Sequence, residues 1–128
     1  MAETAAAAAP RRRPGTGKAP KSLEQLLADI KAQCEDSIRF AAFEPNDPAL
    51  WARVAAAVQA VLMPHWQAGI LLGSTPEHGF FVRCDRTSHQ EADLAVGRMR
   101  ALVGVAPVKP AEFIIFALES ATADSPVA

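Results

Sequence analysis

One apolar run organises the predicted fold: Ala111-Glu112-Phe113-Ile114-Ile115-Phe116-Ala117-Leu118. Its β-branched and aromatic side chains favour a strand. Because side chains alternate along a strand, Phe113 and Ile115 lie on one face and Ile114 and Phe116 on the other. Pro107 and Pro110 precede the run and keep the residues before them extended. We therefore predict a strand that is apolar on both faces and needs cover above and below, with neighbouring strands at its edges.

The chain of 128 residues divides into a basic segment and an acidic body. Residues 1–21 hold five basic residues and one acidic residue, a formal charge of +4, so the remaining residues carry −5 of the total of −1. The first segment consists mainly of Ala, Pro, Gly and Arg, which predicts disorder. We divide the chain into a disordered basic tail over residues 1–21, one domain over residues 22–119, and a flexible tail over residues 120–128.

The first predicted helix follows Ser22. Ser22 and Gln25 form a capping-box pattern, in which each side chain bonds the other residue's backbone N–H. Apolar residues then recur at spacings of three and four, which predicts an amphipathic helix docked by one side. The apolar stretch over residues 40–43 follows and is interpreted as a short strand.

A second amphipathic helix begins near Pro48. Asn46 or Asp47 is its expected N-cap, and Pro48 suits the first helical position because its missing N–H costs nothing there. Pro64 is expected to kink or restart this helix, and Gly69 to end it.

Strand patterns dominate the rest of the chain. Residues 79–85 and 94–105 favour strands, the second with a glycine bend, and residues 86–91 form a polar loop between them. The predicted fold class is α/β of the α+β type. It has a small mixed sheet packed by two main helices and an extended C-terminal strand for pairing between subunits.

Candidate sites for chemistry are weak. Potential metal ligands gather within ten residues but lack the paired spacings of zinc sites, so they are interpreted as a polar loop: Cys84, Asp85, His89, Glu91 and Asp93. A nucleophilic pair of Cys84 and His89 stays open as an alternative, which would make the chain a small cytoplasmic enzyme. Neither cysteine has a paired spacing, which favours reduced thiols.

Two further ligand classes are not favoured. Residues 69–75 superficially resemble a phosphate loop, but Gly73 occupies the place of the required Lys. Arg11, Arg12 and Arg13 would suit a nucleic-acid adaptor, although no aromatic residue is interleaved to stack on bases. We expect no cofactor, no metal and no nucleic-acid partner. No apolar segment approaches the length of a membrane helix, so no membrane partner is expected either.

Four blocks of sequence together closely resemble the C-terminal domain of contractile phage tail sheath proteins. They are residues 43–51 (FEPNDPALW), 69–77 (GILLGSTPE), 80–85 (FFVRCD) and 104–114 (GVAPVKPAEFI), and the resemblance covers about residues 22–119. In that family this domain is an α/β unit that lies innermost, against the tail tube. Chain arms add strands to a sheet in neighbouring subunits.

The resemblance implies a structural protein that performs no chemistry. Residues 111–118 would be a strand-exchange arm or part of a shared sheet, and the partners would be other sheath subunits and the tail tube protein. Such a protein is cytoplasmic before assembly and part of a virion or injection-system sheath afterwards. Sheath proteins are typically several times longer and carry an N-terminal arm, where this sequence has its basic segment. That difference predicts a cap, adaptor or terminal subunit, or alternatively a decayed sheath fragment.

Overall fold

A computed structural model describes residues 22–107 and 112–126. The predicted disordered basic tail, residues 1–21, and the first residue of the predicted interface run, Ala111, lie outside these residues. In the described part, helix α1 spans Leu23–Ser37, α2 Pro48–Gln67, α3 Pro76–Gly79 and α4 Glu91–Ala95. Strand β1 spans Phe80–Arg83, β2 Arg98–Val105 and β3 Ile114–Ala121, and short 3₁₀ helices cover Arg39–Phe43 and Arg86–Ser88.

The two main helices begin where local chemistry predicts. The Gln25 N–H donates to Ser22 Oγ at 3.1 Å, and the Ser22 N–H donates to Gln25 Oε1 at 3.0 Å, so the capping box of α1 is complete. Asp47 caps α2 by accepting the Leu50 N–H at 2.9 Å. The expected stop of α2 is confirmed: Ala68 is its C-cap, and Gly69 follows with a φ of +80°.

One local prediction along these helices is wrong, and one of the two outcomes expected at Pro64 does not occur. Residues 40–43 form part of a 3₁₀ helix and not a strand, with the Ala41 N–H donating to the Ile38 carbonyl at 3.0 Å. Ala41 is its only buried residue, while Phe40 packs partly against the core and Phe43 is 82% exposed, so burial along the segment does not alternate as in a half-buried strand. Pro64 does not restart α2, which continues to Gln67. The proline lies so near the end that the helix closes normally after it, by a bond from the Ala68 N–H to the Pro64 carbonyl.

The sheet has the order β1-β2-β3, and both pairings are antiparallel. The α+β class is thus confirmed, while the predicted mixed sheet is antiparallel among the described strands. β2 starts at Arg98, later than predicted, because α4 and the left-handed turn at Gly97 occupy residues 91–97. The predicted polar loop over residues 86–91 contains a 3₁₀ helix and the first residue of α4.

The core lies on one side of the sheet, where α1 and α2 pack against the strands. Its largest fully buried side chains are Ile30, Leu50, Leu62, Leu71, Met99 and Leu118. The result is a two-layer domain with helices on one face of the sheet. No helix in the described ranges is both long enough and apolar enough to cross a membrane.

Candidate functional site: the β3 edge and its outer face

The predicted interface run forms most of β3. Glu112 and Phe113 precede the strand, and residues 114–118 are its first part. Ile114, Phe116 and Leu118 point into the core, whereas Ile115 is 58% exposed and Phe113 is 41% exposed. The predicted alternation of faces is therefore confirmed. Only the inner face has cover among the described residues, because α1 and α2 lie on that side.

The outer face of the sheet is apolar at one end. The strand register brings Phe81, Gly104 and Ile115 into one row and places Leu102 beside Ala117 in the next. The Phe81 and Phe113 rings meet edge to face with centroids 5.1 Å apart. A Cβ on Gly104 would lie 2.0 Å from the Phe81 ring, so the ring rests directly on this glycine.

The other end of the same face is charged. Arg100 and Glu119 are register partners, and their side chains form an ion pair at 3.3 Å. Both groups are partly exposed, so the pair contributes little to stability. Its position matters more than its strength, because it places polar groups where the apolar patch ends.

The two edge strands differ in length. β1 has four residues and β3 has eight, and both lie at the outside of the described sheet. Near its C-terminal end β3 borders a groove lined by Glu35, Ile38, Arg39, Ala42, Phe43, Glu119 and Ser120. Phe43 is 82% exposed there. Unpaired backbone groups on a long edge strand are a template for pairing with another chain.

A second feature of β3 lies beyond the predicted run. The strand continues to Ala121, past residue 119, and the next residue, Thr122, is 4% exposed. The Thr122 hydroxyl donates to the Gly97 carbonyl, and the Asp124 carboxylate accepts the Asn46 N–H at 2.9 Å. We call residues 122–126 the C-terminal clasp. The small and polar side chains of this segment predicted a flexible tail. Its observed contacts are with residues far away in the sequence, so local pattern could not predict them.

The structure does not bring Cys84 and His89 together as a nucleophilic pair. The Cys84 thiol contacts Met99 Sδ at 3.7 Å and the Arg100 carbonyl at 3.9 Å. His89 Nδ1 donates to the Asp85 carbonyl at 2.7 Å, and Nε2 accepts the Arg100 N–H at 3.0 Å. Since both ring nitrogens are engaged with the backbone, His89 has no nitrogen left to act as a base. Trp51 packs on its ring with centroids 4.5 Å apart.

The thiols are also poorly ionised. Burial, with a smaller contribution from the Asp85 charge, raises the pKa of Cys84 to about 12. Burial and the Glu35 charge raise the pKa of Cys34 to about 12. Both cysteines are free and buried. A nucleophilic cysteine needs a lowered pKa, so these thiols are structural in character.

The carboxylates of the polar loop serve its local folding. Asp85 accepts the Thr87 hydroxyl and the N–H groups of Thr87 and Ser88, and these bonds hold its pKa below the ordinary value. The Gln90 N–H, followed by the Arg98 guanidinium, likewise lowers the pKa of Asp93. No group of three or more His, Cys, Asp or Glu side chains within the described ranges could hold a metal ion.

This arrangement defines the class of protein: a two-layer α+β domain with a long apolar edge strand and no assembled reaction centre among its described residues. Two solved structures are similar to it. One is the cryo-EM structure of the anti-feeding prophage (AFP) baseplate, with a TM-score of 0.62 and 33% identity over 72% of this chain. The other is the PVC sheath complex of an extracellular contractile injection system in its contracted state, with a TM-score of 0.60 and 36% identity over 72% of this chain.

The predicted resemblance to contractile sheath proteins is thereby confirmed, and the similar structures are components of contractile injection systems. The chain spans 26% of the length of each of these two relatives. It matches no protein-family model, and comparison with curated proteins gave no match.

Proposed function

We propose that this protein is a structural subunit of a contractile tail sheath or contractile injection system, and that it joins other subunits by strand pairing at β3. The observation that carries the proposal is the eight-residue edge strand with an exposed apolar face. The similarity to an injection-system sheath complex supports the proposal that the subunit belongs to such an assembly. The interface residues would be those of the predicted run, residues 111–118.

Edge pairing would bury both backbone and apolar surface. A strand added beside β3 satisfies its unpaired N–H and C=O groups, as in other cases of β-augmentation. Ile115 and Phe113 are 58% and 41% exposed, so covering the rest of each side chain gives about half of the roughly 1.5–3 kcal/mol that complete burial from water contributes, before ordering costs. One segment can therefore supply much of an interface.

A terminal position in the assembly is the finer form of this proposal. β1 has half the length of β3, so the sheet presents one long edge and one short edge. A subunit that pairs strongly through one edge would end or cap a lattice, or adapt it to another component. We further propose that one helix face of the subunit docks on the tube protein. Before assembly the subunit would be cytoplasmic.

A non-enzymatic role fits the geometry of the polar loop. The alternative of a Cys84 and His89 enzyme would need a thiolate and a free imidazole nitrogen. Cys84 is buried with a raised pKa, and both nitrogens of His89 bond backbone groups. These contacts favour the structural proposal over the enzymatic one.

The decisive experiment places a charge on the strand edge. Ile115→Lys should leave the fold intact because the side chain is exposed, while a lysine on an edge strand opposes pairing with another chain. The purified full chain is added to the sheath protein of its own host during polymerisation, and its fraction in the sedimented tubes is measured. The wild type should sediment with the tubes and Ile115→Lys should remain in solution.

Val96→Lys is the matched control, since Val96 is a partly exposed β-branched residue in the turn after α4. This variant should sediment like the wild type. Equal incorporation of the wild type and Ile115→Lys would contradict pairing at β3. Absence of the wild type from the tubes would contradict the sheath role itself.

A further inference from the structure

We infer that His89 is an acid-sensitive latch, which holds the loop of residues 85–90 against the central strand β2 only while its imidazole ring is neutral. The residue is 6% exposed and contacts the loop, β2 and α2. Uptake of a proton by the ring breaks the bond that closes the latch. The latch belongs to the folded chain without any partner, so it does not rest on the proposed function.

The latch completes β2 where β1 no longer reaches it. The pairing of β1 with β2 ends at Arg83, which lies opposite Leu102. Arg100 lies two residues before Leu102 in β2 and has no partner in β1. Its N–H donates to His89 Nε2 at 3.0 Å, and its carbonyl accepts the Ser88 hydroxyl at 2.7 Å. Side chains of the loop therefore satisfy backbone groups that a longer β1 would otherwise bond.

The hydrogen bonds of the His89 ring fix its charge and its tautomer. Nδ1 lies 2.7 Å from the Asp85 carbonyl, which can only accept, so Nδ1 carries the proton. Nε2 faces the Arg100 N–H, which can only donate, so Nε2 must keep its lone pair. A second proton at Nε2 would set two donors against each other and leave the Arg100 N–H without an acceptor. The latch therefore requires a neutral ring.

The charged side chains nearby offer no acceptor to a second ring proton. Those on the loop, α4 and the start of β2 are Asp85, Arg86, Glu91, Asp93, Arg98 and Arg100. The Asp85 carboxylate accepts bonds from its own loop, and the Asp93 carboxylate accepts the Arg98 guanidinium at 2.8 Å. Among the hydrogen bonds of the described residues, none places an acceptor at Nε2 of His89. A charged ring would have to leave its position.

Trp51 connects the latch to α2. Its ring packs on the His89 ring with centroids 4.5 Å apart and planes at 33°. The Trp51 indole N–H donates to Asn46 Oδ1 at 2.8 Å, and the Asn46 N–H donates to Asp124 of the C-terminal clasp at 2.9 Å. An indole face attracts a cation, but a charged ring that stayed on Trp51 would still direct Nε2 at the Arg100 N–H. Opening of the latch therefore also ends the stacking on Trp51.

The direction of the pH dependence follows from which state binds the proton. The folded chain holds the His89 ring neutral, whereas a histidine in an unfolded chain binds a proton below about pH 6.5. The contribution of the latch is thus complete above that pH. Below it, the unfolding equilibrium constant rises about tenfold per pH unit. The pKa values of Asp85 and Asp93 are lowered, so these carboxylates take up protons in a more acidic range.

Urea unfolding of the full chain between about pH 7.5 and about pH 5.0, followed by tryptophan fluorescence, tests the latch. Glutamine keeps a donor and an acceptor but binds no proton in this range, so His89→Gln is the informative variant. The unfolding equilibrium constant of the wild type, divided by that of His89→Gln, should rise about thirtyfold as the pH falls across the range. His78→Gln is the matched control, because it removes an exposed histidine of α3 and should keep the wild-type pH dependence.

A second measurement needs no substitution. The chain has three histidines, and heteronuclear NMR of their rings reports the tautomer and the charge of each one. His89 should show a protonated Nδ1 and an unprotonated Nε2 for as long as the chain stays folded.

An Nε2–H tautomer at neutral pH would overturn the inference, as would uptake of a second proton by His89 in the folded chain. A ratio of unfolding constants that does not change with pH would overturn it too. If His89→Gln does not fold, the NMR result on the wild type decides.

Discussion

Leu118→Ala tests whether β3 is part of the folded chain or an arm awaiting a partner. Leu118 lies in β3 opposite Ala101, and its side chain is 0% exposed. The substitution removes three carbon atoms, a transfer loss of about 2.4 kcal/mol. The cavity that remains brings the usual cost of such changes to about 2–5 kcal/mol. That is a large share of the roughly 5–15 kcal/mol that stabilises a domain.

Urea unfolding followed by the fluorescence of Trp51 and Trp66 measures this loss in the isolated chain. With a slope of about 1–3 kcal/mol per molar urea, a loss of about 2–5 kcal/mol lowers the unfolding midpoint by at least about 0.7 M. Ile115→Ala is the control, because its exposed position in the same strand should cost less than about 0.5 kcal/mol. If Leu118→Ala cost no more than Ile115→Ala, β3 would not be docked in the isolated protein, and the fold described above would hold only in an assembly.

Three further predictions concern other parts of the domain. Burial raises the pKa of both Cys34 and Cys84 to about 12, so neither thiol should react with iodoacetamide at pH 8 faster than the protein unfolds. Rapid alkylation of Cys84 in the folded protein would instead support the enzyme alternative. The lowered pKa of Asp93 means that its stabilisation is complete above the ordinary carboxyl pKa and is lost as the pH falls through the lowered value. Asp93→Asn should therefore cost about 1.5–3 kcal/mol at pH 7, with a difference from the wild type that shrinks below about pH 4, and a difference independent of pH would disprove this role. Gly104→Ala should lower the free energy of unfolding by about 1–3 kcal/mol, because the added Cβ meets the Phe81 ring. Phe81→Leu in the same chain should restore part of that free energy. If the two substitutions had strictly additive effects in thermal unfolding, the contact would be excluded.

Features that depend on neighbouring residues were predictable. The capping box at Ser22, the Asp47-Pro48 start of α2 and the alternation of β3 each arise from residues within a few positions of one another. The capping bonds join a side chain to a backbone N–H three residues away, and the alternation of β3 follows from the extended backbone itself, so the sequence carries the necessary information locally.

Predictions failed where distant contacts decide the conformation. The segment Arg39–Phe43 has strand-like composition, yet it turns into a 3₁₀ helix in which Ala41 is buried and Arg53 lies over the Phe40 ring at 4.5 Å. Residues 122–126 read as a simple tail, but the bond between Asn46 and Asp124 joins positions 78 residues apart. No local pattern reports a partner at that distance.

The interface run shows most clearly which features local sequence determines and which depend on the tertiary structure. Its sequence alone predicted a strand with two apolar faces, because side chains of an extended chain alternate. Only the tertiary structure decided that the face of Ile114, Phe116 and Leu118 is sealed by the chain's own helices while Ile115 stays exposed. It also decided that one edge of the strand is taken by β2 of the same chain. The physical reason is that periodicity sets which residues share a face, whereas the choice of face and pairing strand depends on packing across the whole domain.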